Sequence, residues 1–293
     1  MKKIVGLFII LILAGCSSHK KPTENTPTGT DFHMHVHSPP KDYEDDMEFN
    51  AQRALFAADS IGLNRALILS NSYSRGASQK HAQTENNFIA SEVAKNPSRV
   101  AGACAVNPSK DWAWKEIKRC ASLGLKVLKL HFMASGLDLR KETDYEIAKA
   151  TLKNAELYNF TVIVHANYPR SSRPGEIEKL KQLIEAFPNT RWIIGHLFGR
   201  EFEALQGLSH SNYFVEISVV PVWLKTEDQR QKLVTVMRSI GVEKFIFGSD
   251  WPVIHPAETL KAFNLLPLSK EEKEAVLRKN EEKLNDLFKP IPT

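Results

Sequence analysis

The chain has 293 residues, 42% of them hydrophobic, enough for one domain with a sizeable core. Its formal net charge of +5 is too mild, with Lys and Glu interleaved along it, to point to nucleic acid. It contains no internal repeat, no glycine-rich phosphate loop and no G-x-S-x-G elbow, so neither a P-loop nor a serine-hydrolase site is indicated.

The chain begins with Met1-Lys2-Lys3 and an apolar stretch over 4–14, too short to span a bilayer as a permanent helix. Residues 1–15 read as an export signal. Leu13-Ala14-Gly15-Cys16 resembles a bacterial lipobox, in which Cys16 receives the lipid and becomes the mature N-terminus. Ser17 resembles the residue that directs lipoproteins to the outer membrane, so a membrane anchor facing the periplasm is expected. Residues 16–29, rich in Thr, Pro and Lys, read as a flexible tether. One folded domain is expected over 30–290.

From there strands and helices alternate. D-F-H-M-H is a strand, followed by a helix over 48–62, the strand RALILSNS, a helix over 81–95 and the strand RVAGACAVNP. Next come a helix over 111–123, the strand LKVLKLHF, a helix over 143–158, FTVIVHAN and a helix over 174–187. TRWIIGHLF, a short helix, NYFVEISVV, a helix over 226–240 and KFIFGSDWP complete eight strands. Turn chemistry at Asn96-Pro97, Gly124 and Pro188-Asn189 marks several boundaries. The alternation predicts an α/β fold, a single-domain (β/α)8 TIM barrel.

In such a barrel all the strands end on one rim, where the active site is built. Five potential metal donors sit near the ends of strands one, five, six and eight: His33 and His35, then His165, His196 and Asp250. Residues two apart on a strand share a face, so His33 and His35 present two imidazoles to one point. The same parity places Lys129 and His131 on strand four, and Glu216 and Ser218 on strand seven, in the barrel mouth. His37 continues it into the first loop. Glu216 is a candidate for orienting a ligand, because a buried carboxylate needs a partner or a metal. Lys129 reads as a buried charge pairing with a carboxylate. Arg75, Asn167, Tyr168, Arg170, Arg200, Trp251 and His255 lie on rim loops positioned for substrate contacts, and the arginines suit a substrate carboxylate. Trp112 and Trp114 are expected to pack. Cys104 and Cys120 could pair in an oxidising compartment, but read as two ordinary buried thiols.

D-F-H-M-H, V-I-V-H-A, I-I-G-H-L and F-G-S-D-W-P, in that order and spacing, resemble the amidohydrolase superfamily. Within it the chain is similar to the amidohydrolase-2 branch, which includes aminocarboxymuconate-semialdehyde decarboxylase-like enzymes, over roughly residues 30 to 288. RKNEEKLNDLF looks like that branch's closing helix. The resemblance implies one divalent metal ion, zinc, held by His33, His35, His165 and Asp250, with His196 beside it. In binuclear relatives a strand-four lysine is carboxylated and bridges two metals; the resemblance to the single-metal branch argues against that role for Lys129. Neutral imidazoles and a carboxylate suit zinc, which lowers the pKa of a bound water to about 7. Asp250 is then placed to accept a proton, and His196 to polarise the substrate or protonate a leaving group. The expected activity is hydrolysis of an ester, lactone or amide bond of a small molecule. Decarboxylation of a small aromatic or dienoic acid uses the same scaffold and ligands, and the loops choose between them. A lipoprotein that binds metal or ligand without catalysis is the alternative of another class, and the retention of all five donors argues against it. A homo-oligomer is compatible with the sequence.

Overall fold

The computed structural model describes residues 29–39, 49–167, 173–210 and 212–289. The expected export signal, Cys16 and the tether lie outside the described residues, as do Tyr168 and Arg170. Eight parallel strands form one sheet in chain order: β1 (Thr30–His35), β2 (Arg65–Leu69), β3 (Val100–Ala105), β4 (Val127–Leu130), β5 (Thr161–His165), β6 (Trp192–Gly195), β7 (Tyr213–Glu216) and β8 (Phe245–Ile246). The segment after β8 closes the sheet onto β1. The Phe32 amide donates to the Phe247 carbonyl at 3.0 Å, the Asp250 amide to the His33 carbonyl at 2.8 Å, and the His35 amide to the Trp251 carbonyl at 2.6 Å. The chain is a nearly closed (β/α)8 barrel, as the alternation predicts.

The helices that follow the first four strands in turn are α1 (Ala51–Asp59), α2 (Gln79–Lys95), α3 (Ala113–Ser122), and a short α4 (Phe132–Ser135) with α5 (Glu142–Leu157). Then come α6 (Glu176–Glu185), a kinked 3-10 segment (His196–Gly207) that opens on left-handed backbone, α7 (Val220–Trp223) with α8 (Glu227–Ile240), and α9 (Pro256–Asn264) with α10 (Lys270–Glu274). Local chemistry sets their starts. The side chains of Asn50 and Ser78 accept the amides of Arg53 and His81 at the heads of α1 and α2, and Thr226 with Gln229 forms a capping box on α8. The short helices α4 and α7, four residues each, carry too few apolar repeats to register in the sequence, and α9 is a further helix that the sequence reading does not include. Among the described residues no helix is long and apolar enough to cross a membrane.

Strand parity divides the core in two. Outward residues such as Ala66, Ile68, Val162, Val164 and Val215 pack under the helices. Inward residues Phe32, Leu67, Leu69, Ala101, Ala103, Val127, Ile163, Ile193, Phe214 and Ile246 fill the barrel's lower half, which Leu284, Leu287 and Phe288 of the closing segment plug from below. Strand β1 breaks the alternation. Its pairing with β2 shifts register between Asp31 and Met34, and Phe32 joins the inner cluster while Met34 joins the outer one. Two residues of equal parity thus face opposite ways, as a β-bulge requires, and above it His33 and His35 point inward.

Two expectations are corrected. Cys104 on β3 and Cys120 on α3 form a disulfide with their Cα atoms 6.2 Å apart, not two separate thiols. Outward parity aims Cys104 at the helix that follows, within bridging distance. Trp114 is 50% exposed on α3 and is no core residue, whereas Trp112 packs against the core as expected.

Candidate active site

The barrel mouth gathers the donors. His33 Nε2 lies 3.2 Å from His35 Nε2 and 3.4 Å from Asp250 Oδ1, and His35 Nε2 lies 3.3 Å from the same carboxylate oxygen. Three donors in a tetrahedron around an ion bonded at about 2.0–2.1 Å stand about 3.3–3.4 Å apart, so the triangle has the dimensions of a metal's coordination face. The donor atoms of His33, His196 and Asp250 also lie within 4.8 Å of one another. The donor set and its spacing fit a divalent cation.

Rim loops reach this geometry through backbone that L-residues rarely adopt. Asp250 has φ 68° and His196 φ 60°, followed by Leu197 at 55° and Phe198 at 59°. Left-handed φ at non-glycine residues costs about 1–2 kcal/mol each and concentrates at functional sites. Both side chains are aimed by turns beyond the strand ends, not by the strands themselves.

Buried hydrogen bonds fix the proton positions. Glu216 Oε2 lies 2.7 Å from His33 Nδ1, and it accepts from the Ser218 hydroxyl at 3.0 Å and from the His196 amide at 3.4 Å. In its ionised form Glu216 only accepts, and His33 Nδ1 then carries its proton and leaves Nε2 a bare lone pair facing the triangle. Because the Ser218 hydroxyl donates to Glu216, its oxygen receives the Nδ1 proton of His196 at 2.7 Å, which leaves His196 Nε2 as the acceptor nitrogen. Glu216 and Ser218 therefore turn both imidazoles, as an orienting carboxylate does beside a metal ligand. A Cβ at Gly248 would collide with the Glu216 carboxylate, which explains the glycine of F-G-S-D.

His165 stands beside this group. Its ring meets that of His196 edge-on at 4.7 Å and stacks on His131 at 3.7 Å, and its Nε2 donates to the Asn167 carbonyl at 2.9 Å. In its neutral form its acceptor nitrogen is Nδ1. Burial, reinforced by neighbouring charge, keeps the imidazoles neutral: His33 and His196 titrate well below the usual histidine range, His131 is also lowered, and His165 falls to about 3. Desolvation opposes ionisation of Asp250, but His33, the His35 hydrogen bond and Lys129 outweigh it and bring its carboxyl down to about 2. Burial pushes Glu216 up to about 7 against its bonds from Ser218, and draws Lys129 down to about 8. Lys129 Nζ sits 3.1 Å from His33 Nε2, within the cluster and not in a separate ion pair. A group of neutral imidazoles around a carboxylate is the composition that a cation completes.

A family model described as amidohydrolase, of the amidohydrolase-2 type, matches residues 30–285. The chain belongs to the amidohydrolase family. Among solved structures, this amidohydrolase is similar to a probable 2-pyrone-4,6-dicarboxylic acid hydrolase from Acinetobacter baumannii with citric acid bound, at 19% identity and a TM-score of 0.63 over 88% of this chain and 99% of that one. It is similar to 2,6-dihydroxybenzoate decarboxylase from Rhizobium, at 17% identity and a TM-score of 0.65 over 89% and 99% of the two chains. It also resembles a dihydroxybenzoic acid decarboxylase from Polaromonas sp. JS666 with bound manganese and the inhibitor 2-nitroresorcinol, at 14% identity and a TM-score of 0.65 over 90% and 98%. At these identities the likeness is one of fold. No curated protein sequence matches the chain.

Around the mouth, the Tyr73 ring lies 5.1 Å from His131 and extends the row of stacked rings outward. His37 contacts Phe49 at 5.1 Å, and Phe49 contacts Trp251 at 5.5 Å, so both predicted rim residues belong to one aromatic wall. Arg75 is exposed and lies over Gly136, in the turn after α4. The Asn167 side chain abuts Gly199, where a Cβ would collide with it. Arg200 is exposed. His255 accepts the Ala257 amide at 3.2 Å and so caps α9. Three residues of this region escaped sequence reasoning. Tyr73 carried no parity signal because it lies beyond β2. Ser249 and Asp31 flank the quoted donors, and only the bulge gives them a role.

Proposed function

We propose that this amidohydrolase is a hydrolase that uses one divalent metal ion, zinc, to cleave an ester, lactone or amide bond of a small molecule. The observation that carries the reading is the triangle of His33 Nε2, His35 Nε2 and Asp250 Oδ1, with sides of 3.2 to 3.4 Å. In this reading these three and His165 hold the ion, and His196 stands next to it. When bound, the ion supplies Lewis acidity and brings the pKa of water to about 7.

The chain's own groups do the rest. Asp250, held ionised by its neighbours, is the proton acceptor at one corner of the triangle. His196, with Nδ1 tied to Ser218, presents Nε2 to a substrate oxygen or leaving group. Tyr73, His131, Trp251 and His37 wall the approach. Loss of carbon dioxide from a small aromatic or dienoic acid is the second reading, favoured by the likeness to decarboxylases and by the exposed Arg75 guanidinium, which suits a carboxylate. Lactones, esters, amides and aromatic acids should be screened with zinc or manganese restored. Products formed by addition of water support the hydrolase. Carbon dioxide release marks the lyase, and turnover that survives full chelation contradicts both.

We also propose export and lipid anchoring at Cys16. The Cys104–Cys120 disulfide supports this, since such bonds persist in oxidising compartments. Cells given labelled palmitate should label the wild-type chain, and Cys16→Ala should stay unlabelled. A labelled Cys16→Ala chain would contradict the anchor.

A further inference from the structure

We infer that Asp31 is a positioning residue whose carboxylate pins the bulge of β1 to the loop after β8, and thereby sets His33 opposite Asp250. The inference rests on reading the mouth as a metal centre. Asp31 is fully buried, and its Oδ1 accepts two backbone amides, that of His33 at 3.1 Å and that of Ser249 at 3.0 Å.

Both amides lie where the seam departs from a regular parallel ladder. Below the bulge the Phe32 amide donates to Phe247, and a regular ladder would next return the Ser249 amide to the Phe32 carbonyl. Instead the Asp250 amide donates to the His33 carbonyl and the His35 amide to the Trp251 carbonyl. By the His35 bond, β1 has therefore taken in one extra residue and the chain after β8 two. The shift turns His33 inward directly above the inward Phe32, and carries Asp250 over to meet it. A buried amide without an acceptor costs about 1–3 kcal/mol, and one carboxylate oxygen accepts both amides at the shift. Asp31 touches neither donor triangle nor substrate, so its action is through the backbone of the residues that form the site. The Ser249 hydroxyl completes the turn by accepting the Trp251 amide at 3.1 Å.

The test measures zinc affinity by chelator competition, together with backbone amide exchange over 31–36 and 247–252. Asp31→Ala should lose about 10–100-fold in zinc affinity, with faster exchange at the Ser249 and His33 amides and unchanged overall secondary structure. Asp31→Asn keeps an acceptor oxygen and should stay within about threefold of wild type, since a retained hydrogen bond preserves most of its net worth. Should the alanine chain fail to fold, Asp31→Ser replaces it: its short hydroxyl does not reach Ser249, and the same loss is expected. Wild-type zinc affinity in the alanine or serine chain, or an asparagine chain as weak as alanine, would overturn the inference. A wild-type chain that binds no zinc would sink the metal reading instead. Exchange at the two amides then decides the pin alone: protection lost in the alanine or serine chain supports it, and protection retained refutes it.

Discussion

Replacing Asp250 with Ala should lower turnover by at least about 10³-fold, within the range that loss of a positioned proton acceptor produces, and should also strip the metal. The carboxylate oxygen lies 3.4 and 3.3 Å from the His33 and His35 imidazoles, so the substitution removes a corner of the triangle together with its only anionic group. Asp250→Asn separates the two contributions. It retains an oxygen of the same reach but neither the charge nor the basicity, so it should hold part of the metal and turn over as poorly as the alanine chain. Steady-state kinetics beside elemental analysis reads both. An alanine chain with near wild-type turnover would remove Asp250 from the chemistry.

The second large effect is expected at Glu216, which touches neither substrate nor ion in this account. Its carboxylate holds His33 Nδ1, the Ser218 hydroxyl and amide, and the His196 amide. Glu216→Ala would leave those buried donors without an acceptor, at about 1–3 kcal/mol for each that finds none, and should weaken metal binding about 10–100-fold. The melting temperature should fall as well. Glu216→Gln should be intermediate in affinity: its amide oxygen still accepts from one donor, while its NH2 confronts another. Chelator competition and a thermal melt check both variants, and metal affinity unchanged in the alanine chain would show that Glu216 does not orient His33.

What the sequence made legible, and what it did not, follows from the range of each signal. Period-two parity is local, so His33 with His35 and Glu216 with Ser218 could be read as pairs facing one way, and the structure places each pair in the mouth. Ordered strand ends placed His165, His196 and Asp250 on one rim. Parity does not describe turns, however. His196 and Asp250 owe their aim to left-handed backbone beyond β6 and β8, and the β8 strand proper covers only Phe245–Ile246. The β1 bulge was invisible for a related reason: it is a register mismatch against partners on β2 and, more than 200 residues away, beyond β8, and D-F-H-M-H reads equally well as a regular strand. Asp31 therefore passed as the start of a motif. The disulfide was missed because pairing depends on which way Cys104 points relative to α3, and two buried cysteines in sequence carry no such direction. Trp114 was assigned to packing on residue type, and its position on the outer face of α3 overrode that preference.

Metal stoichiometry of the chain, measured by elemental analysis after zinc loading and removal of excess ion, tests the convergence of the donors most directly. About one zinc per chain is expected in the wild type, in line with three protein donors and more around a single structural or catalytic ion. His33→Ala, His35→Ala and Asp250→Ala should each retain only a small fraction of that under the same wash. Wild-type stoichiometry in all three variants would contradict the account, because the metal would then be held somewhere other than between those side chains.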